Sequence, residues 1–260
     1  MKHSGPLHKI APRCSDFSAR DLGMIKDEPS EAPVNIAVIA ENRAVAQSWI
    51  AQTLNHCKQG VEADEARYGR FRLQACAYDQ PVPDGEIHEA HVIVDMKAPG
   101  FRWRDFEPWA ERVFFHHIGG AAEAGFHGGI QYSWNSPEVG SAFCGGLFSR
   151  LSSPGIFGMT WEDYADLLPD SASAQCLLSG AGELDAAISA LRDQAAGPPS
   201  ERATLALLHI EGNGCLSLGD YLDVCKAAEE FLPALCRLVA TVSIEVRANR
   251  LGLQLILFSP

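Results

Sequence analysis

The apolar positions of this chain follow two rhythms. Val34 to Ala40 is an apolar run of strand length rich in β-branched residues, and Ala90 to Met96 is another, the pattern of parallel strands buried on both faces. Between them Val45, Trp49, Ile50 and Leu54 recur at helical spacing and predict a helix from Arg43 to about Leu54. A third strand is predicted from Phe71 to Tyr78. Strand, helix, strand, strand at the opening of a domain predicts an α/β layer structure.

Residues 103–117 are aromatic-rich and read as a helix running into a strand; residues 119–140 hold many glycines. Phe143, Leu147, Phe148 and Leu151 fall at helical spacing, so Ser141 to Leu151 reads as a helix despite Gly145 and Gly146. The second half then predicts a short helix from Glu162 to Leu168, a strand from Ala174 to Ser179, and a helix from Glu183 to Gln194. A loop at 197–200 leads to a strand from Thr204 to Ile210 and a helix from Leu218 to Phe231. Ser217 is placed to cap that last helix, with Asp220 three residues on. Two strands, Leu238 to Val246 and Leu251 to Phe258, close the chain. Residues 1–34 mix charged residues, serine and proline with few apolar anchors and read as a flexible tail.

Composition narrows the function classes. With 47% hydrophobic residues over 260 positions the chain can fill a sizeable core. A net charge of -12 opposes a surface built to neutralise phosphates, so nucleic acid is not an expected partner. No run approaches the roughly 18 apolar residues a membrane span needs, and the first ten residues lack the apolar core of a signal peptide. The expected location is the cytoplasm. The 8 cysteines are scattered without a Cys-x-x-Cys pair, which fits buried thiols in a reducing compartment.

Candidate chemistry is sparse. His116, His117 and His127 with Cys144 supply zinc-type ligands, but adjacent histidines on a strand point to opposite faces, so no metal is expected. Gly128-Gly129 and Gly145-Gly146 lack the strand before and the Lys-Ser/Thr helix start after that a phosphate loop needs; turns or close helix packing account for them. No Gly-x-Ser-x-Gly elbow marks a serine nucleophile. The aromatic block from Phe101 to Phe115 reads as core, with a partner-binding patch as the alternative.

The run from Arg150 to Asp166 carries most information: Arg-Leu-Ser-Ser-Pro-Gly-Ile-Phe-Gly-Met-Thr-Trp-Glu-Asp-Tyr-Ala-Asp. It resembles the segment of the FtsZ/tubulin family in which a long central helix ends, a Pro-Gly turn follows, and a loop bearing Asn-x-Asp-x-x-Asp reaches the nucleotide of the next subunit. Gly158 stands where the family has Asn, Thr160 where it has the first Asp, and Asp163 where it has the second. Downstream, Cys176 to Gly182 is similar to the family's Met-Gly-x-Gly strand end, Leu205 to Asp220 to its strand, glycine turn and L-S-L-x-E helix entry, and Leu251 to Phe258 to its last strand.

The resemblance implies a reduced tubulin/FtsZ-like α/β fold: a tail over 1–34, a parallel-sheet Rossmann-like N-terminal domain over 35–140, a central helix over 141–152, and an α+β C-terminal domain over 153–260. The family cradles GTP on glycine-rich turns, whereas the corresponding turns here read Ala40-Glu-Asn-Arg-Ala-Val-Ala46 and Met96-Lys-Ala-Pro-Gly-Phe101. Side chains crowd the first, and Pro99 removes a donor from the second. The expectation is therefore a bacterial, FtsZ-like pseudo-GTPase scaffold with no bound cofactor, acting through protein contacts with an FtsZ-like subunit or with itself as a homo-oligomer. Its expected interface is Pro154, Gly155, Gly158, Thr160, Trp161, Asp163 and Tyr164; Asp163 is the one acid that carries over from the catalytic pair. Two alternatives stay open: a divergent GTPase using Asp163 with an acid supplied by a partner, and an unrelated α/β module, receiver-like for instance, fused to an FtsZ-like second half.

Overall fold

A computed structural model describes residues 33–57, 67–79, 86–94, 110, 112–119, 128–152, 159–181, 183–195, 201–212, 216–244 and 251–260. Ten strands form one sheet in the order β2-β3-β1-β4-β5-β6-β7-β10-β8-β9. In chain order they are β1 (Val34–Ala40), β2 (Arg67–Tyr68), β3 (Phe71–Ala77), β4 (Glu89–Val94), β5 (Arg112–Ile118), β6 (Gly129–Trp134), β7 (Ser171–Ala181), β8 (Leu205–Gly212), β9 (Arg237–Ile244) and β10 (Leu251–Ser259). Five helices are described: α1 (Arg43–Asn55), α2 (Pro137–Ser152), α3 (Trp161–Leu167), α4 (Leu184–Ala195) and α5 (Leu218–Phe231).

From β3 through β1, β4, β5 and β6 to β7 every pairing is parallel. Strand β10 then runs antiparallel to both β7 and β8, and β9 lies parallel to β8 at the edge. The α/β reading and the parallel first half hold. Strands β6 and β7 pair directly, Gly129 opposite Ser171 through Tyr132 opposite Ala174, so the two halves share one sheet. Residues 32–260 pack as one unit.

Buried apolar residues account for this layering. Trp49, Ile50 and Leu54 of α1 pack with Phe143, Leu147 and Phe148 of α2 and with Trp161 and Tyr164 of α3, over Ile36, Phe114, Tyr132 and Phe258 of the sheet. On the other side of the second half, Ala187 and Leu191 of α4 and Val224 and Ala228 of α5 cover Leu208, Ile210, Leu255 and Leu257. Successive strand residues alternate faces, so Leu255 and Leu257 serve one layer while Ile256 and Phe258 serve the other.

Helix α2 begins at Pro137, earlier than Ser141, because proline fits the first helical position, where no N–H partner is needed. A methyl group on Gly140 would meet the Trp49 ring, and one on Gly145 would overlap the Thr53 carbonyl oxygen of α1. These glycines set the contact between the two helices; neither makes a phosphate loop. The residues before Gly119, read as helix into strand, form β5 from Arg112 onward, and the glycine-rich stretch after it contains β6.

Candidate functional site

Three features converge on the side of the sheet that α1, α2 and α3 cover. The first is the turn after β1. Asn42 caps α1 with its own side chain, Oδ1 accepting the Val45 N–H at 3.0 Å, while its Nδ2 donates to Glu41 Oε1 at 3.3 Å. A helix N-terminus attracts anions through exposed N–H groups and its positive dipole end. Here one of those groups is already satisfied, and a carboxylate stands beside it. The second turn read from the sequence, at 96–101, lies outside the described residues, as do the tail over 1–32, His127, and residues 101–109 of the aromatic block. Phe114 and Phe115, at the end of that block, are buried.

The second feature is α3. Thr160 and Asp163 form a reciprocal capping box: Thr160 Oγ1 accepts the Asp163 N–H at 3.1 Å, and Asp163 Oδ2 accepts the Thr160 N–H at 3.1 Å and its hydroxyl at 2.9 Å. Arg70, in the turn between β2 and β3, donates two hydrogen bonds to Glu162, at 2.6 and 3.1 Å. That contact and the helix's own amide hold the Glu162 carboxyl below the usual carboxylate range. Of the residues read as an interface, Pro154, Gly155 and Gly158 lie outside the described residues. Thr160 and Asp163 are exposed. Trp161 and Tyr164 are buried, at 8% and 1% exposure, because they plug α3 into the core. The outward surface of α3 and its cap thus carries Thr160, Glu162, Asp163 and Asp166.

Beneath α3 runs the third feature, a chain of buried polar side chains. Trp134 Nε1–H donates to His116 Nδ1 at 2.9 Å, and His116 Nε2 lies 3.0 Å from His91 Nδ1. His91 Nε2 lies 3.3 Å from Glu89 Oε2, and Trp161 Nε1–H donates to Glu89 Oε1 at 2.7 Å. An indole N–H can only donate, so His116 Nδ1 must accept. This fixes every proton in turn: His116 carries its proton on Nε2 and donates to His91 Nδ1, and His91 carries its proton on Nε2 and donates to Glu89. The carboxylate at the end receives two donors. His116 is held neutral, its pKa well below the ordinary histidine value, first by burial and then by the neighbouring His91 and His117.

His91, His116 and Cys144 bring three potential ligand atoms within 4.8 Å of one another. The proton arrangement argues against a metal there, since His116 Nε2 bears hydrogen where a ligand needs a lone pair. Burial also keeps the Cys144 thiol protonated, pushing its pKa far up. His117 points to the opposite face of β5 and meets Gln131 Oε1 at 3.1 Å.

Sequence reading missed Glu89, His91 and Trp134 because their association depends on strand register. With Ile93 opposite His116 and His116 opposite Tyr132, His91 is the diagonal neighbour of His116 across β4 and β5, and Trp134 sits two residues beyond Tyr132 on β6. The only local signal is two polar residues, Glu89 and His91, spaced two apart in an otherwise apolar strand.

No protein-family model matches the chain, and no curated protein matches it by sequence. Solved structures do match. An FtsZ mutant from M. jannaschii superposes with a TM-score of 0.52 at 12% identity, covering 87% of this chain and 91% of that one. GDP-bound CetZ1 from Haloferax volcanii gives 0.52 at 12%, covering 86% and 94%. A subunit of an empty FtsZ dimer from M. jannaschii gives 0.47 at 14%; there the match covers 66% of this chain, which spans 54% of the subunit's length. The fold of this chain is FtsZ/tubulin-like.

Proposed function

We propose that this protein is an FtsZ/tubulin-like scaffold that acts through protein–protein contacts and does not turn over nucleotide. The Glu41-Asn42 turn carries the reading. A phosphate cradle at the end of a first strand needs bare N–H groups and glycine, and this turn has an occupied N-cap and a carboxylate in that place. Asp163 supports the same view, because the oxygen that would orient a water is engaged by Thr160 within its own helix.

The contact surface in this reading is the outward face of α3, with Thr160, Glu162 and Asp163, together with the Pro154 to Gly158 segment before it. It would dock on an FtsZ-like subunit or on a second copy of this chain, in the cytoplasm of a bacterium. The free cysteines among the described residues, three of them buried, suit a reducing compartment. No helix among the described residues is long and apolar enough to cross a membrane.

Titration calorimetry with GTP and GDP in magnesium tests the first half of this reading. The expected result is no saturable heat; saturable binding, with hydrolysis lost in Asp163→Ala, would establish the divergent GTPase instead. Co-sedimentation with FtsZ polymers and sedimentation velocity of the protein alone test the second half. Failure to bind polymers and a strictly monomeric state together would sink the scaffold reading.

A further inference from the structure

Glu89, His91 and His116 are 2%, 4% and 0% exposed, and their hydrogen bonds close on a single arrangement of protons. Each imidazole donates through one ring nitrogen and accepts through the other, with Cys144 Sγ also 3.9 Å from His91 Nδ1, so no ring nitrogen keeps a lone pair for an additional proton. A proton on His91 Nδ1 would confront the His116 Nε2–H, and one on His116 Nδ1 would confront the Trp134 indole N–H. A proton on Glu89 would remove the charge that both His91 and Trp161 address. Any protonation of this chain therefore breaks one of its bonds, and in a buried network a broken bond leaves an unpaired polar group.

The far end of the chain is Trp161, the first residue of α3, whose indole N–H reaches from that helix to the buried Glu89 carboxylate. We infer that the Trp134–His116–His91–Glu89–Trp161 chain is an acid-sensitive latch: proton uptake by its buried members frees Trp161 and loosens α3 from the sheet. The consequence for binding rests on the proposed role of α3 as an interface; the latch itself does not.

Other ionisable groups facing the chain keep their protonation between pH 7.5 and 5.5. From α2 come the Cys144 thiol, held protonated by burial, and Arg150, brought down by burial only to about 10. Tyr132 of β6 and Tyr164 of α3 are pushed up by burial and stay neutral. Cys176 of β7 rises to about 11. Arg112 stands opposite Glu89 in register on β5. Outside the core, Glu162 is held ionised by Arg70. His88 is the remaining histidine on this side; its ring stands edge-on to Trp161 and its Nδ1 accepts the Asn35 N–H.

Amide hydrogen exchange of the full chain, followed by mass spectrometry from pH 7.5 to 5.5 and corrected for the intrinsic pH dependence of exchange, tests the latch. Peptides covering 159–167 should lose protection about tenfold relative to those covering 218–231. Glu89→Gln places an amide against the His91 N–H; reversing both tautomers to suit it only moves the conflict to Trp134. In that variant α3 should be unprotected already at pH 7.5, with little further change on acidification. His88→Phe should respond to pH as the parent does.

A ratio that stays unchanged down to pH 5.5, the chain loosening only as a whole, would overturn the latch, as would the response vanishing in His88→Phe. If Glu89→Gln does not fold, the parent's pH series still decides. Because exchange needs no partner, a protein that binds nothing but shows the expected loss at α3 refutes the interface reading and leaves the latch standing.

Discussion

The Trp161 indole donates to the Glu89 carboxylate at 2.7 Å across 72 residues of chain, tying the first turn of α3 to strand β4, from which His91 also projects. Its partners are the polar exceptions in an otherwise apolar layer, and it makes α3 an extension of the core.

Trp161→Phe keeps the ring and removes the N–H, leaving Glu89 with one donor in place of two. A buried carboxylate short of a donor costs about 1–3 kcal/mol, so the urea midpoint should fall by that equivalent. A variant as stable as the parent would show that Trp161 anchors by packing alone.

Gly145 and Gly146 are neighbours with opposite tolerance. A methyl group at 145 would overlap the Thr53 carbonyl and approach His56 Cβ at 2.7 Å, atoms of α1 that cannot swing aside. At 146 the nearest atom is Arg150 Nη1 at 3.2 Å, the end of a flexible side chain. Gly145→Ala should cost about 1–3 kcal/mol through overpacking, whereas Gly146→Ala should be neutral or gain up to about 1 kcal/mol from helix propensity. Thermal melts of the two variants decide it, and equal effects would mean that α1 and α2 do not meet at Gly145.

Much of this architecture was legible in the chain, for identifiable reasons. Strands β1 and β4 announce themselves as unbroken apolar runs, and Ser217 with Asp220 signals the start of α5, where the capping box forms. Strand β6 escaped notice because its burial alternates, with Tyr132 and Trp134 inward and Ser133 exposed, directly after a glycine pair that reads as a turn. Trp161 and Tyr164 sit one helical turn apart in a segment read as surface, and their burial depends on a strand more than 70 residues away. The His91–His116 contact is likewise a property of strand register, which no local pattern encodes.

Asn42→Ala should destabilise the protein by about 1 kcal/mol, the ordinary loss of an N-cap. Asn42→Asp should restore the cap and favour the helix dipole, but it sets a second carboxylate beside Glu41. Chemical denaturation in low and high salt separates these effects: the Asp variant should gain relative to the parent as salt rises, since screening relieves the Glu41 repulsion. Equal stability of the Ala variant and the parent would remove the argument that the turn is committed to capping.

Global stability should fall as pH drops from 7.5 to 5.5, and the sign follows from His116. Burial holds its folded pKa well below the ordinary histidine value of about 6.5. Below that value the unfolded chain therefore binds a proton that the folded chain refuses. The contribution of His116 is fully present above pH 6.5 and is lost as pH falls through it, at up to about 1.4 kcal/mol per pH unit for one proton. The depressed carboxylates Glu138, Glu162 and Asp220 start from values of 4.5 or lower and act only at more acidic pH. General electrostatics predicts the reverse trend, because a chain of net charge -12 loses self-repulsion on mild acidification. Urea midpoints measured at half-unit steps therefore discriminate: a decline that flattens in His116→Gln places the effect at the buried relay, whereas rising stability toward pH 5.5 means that bulk charge dominates and the relay contributes little.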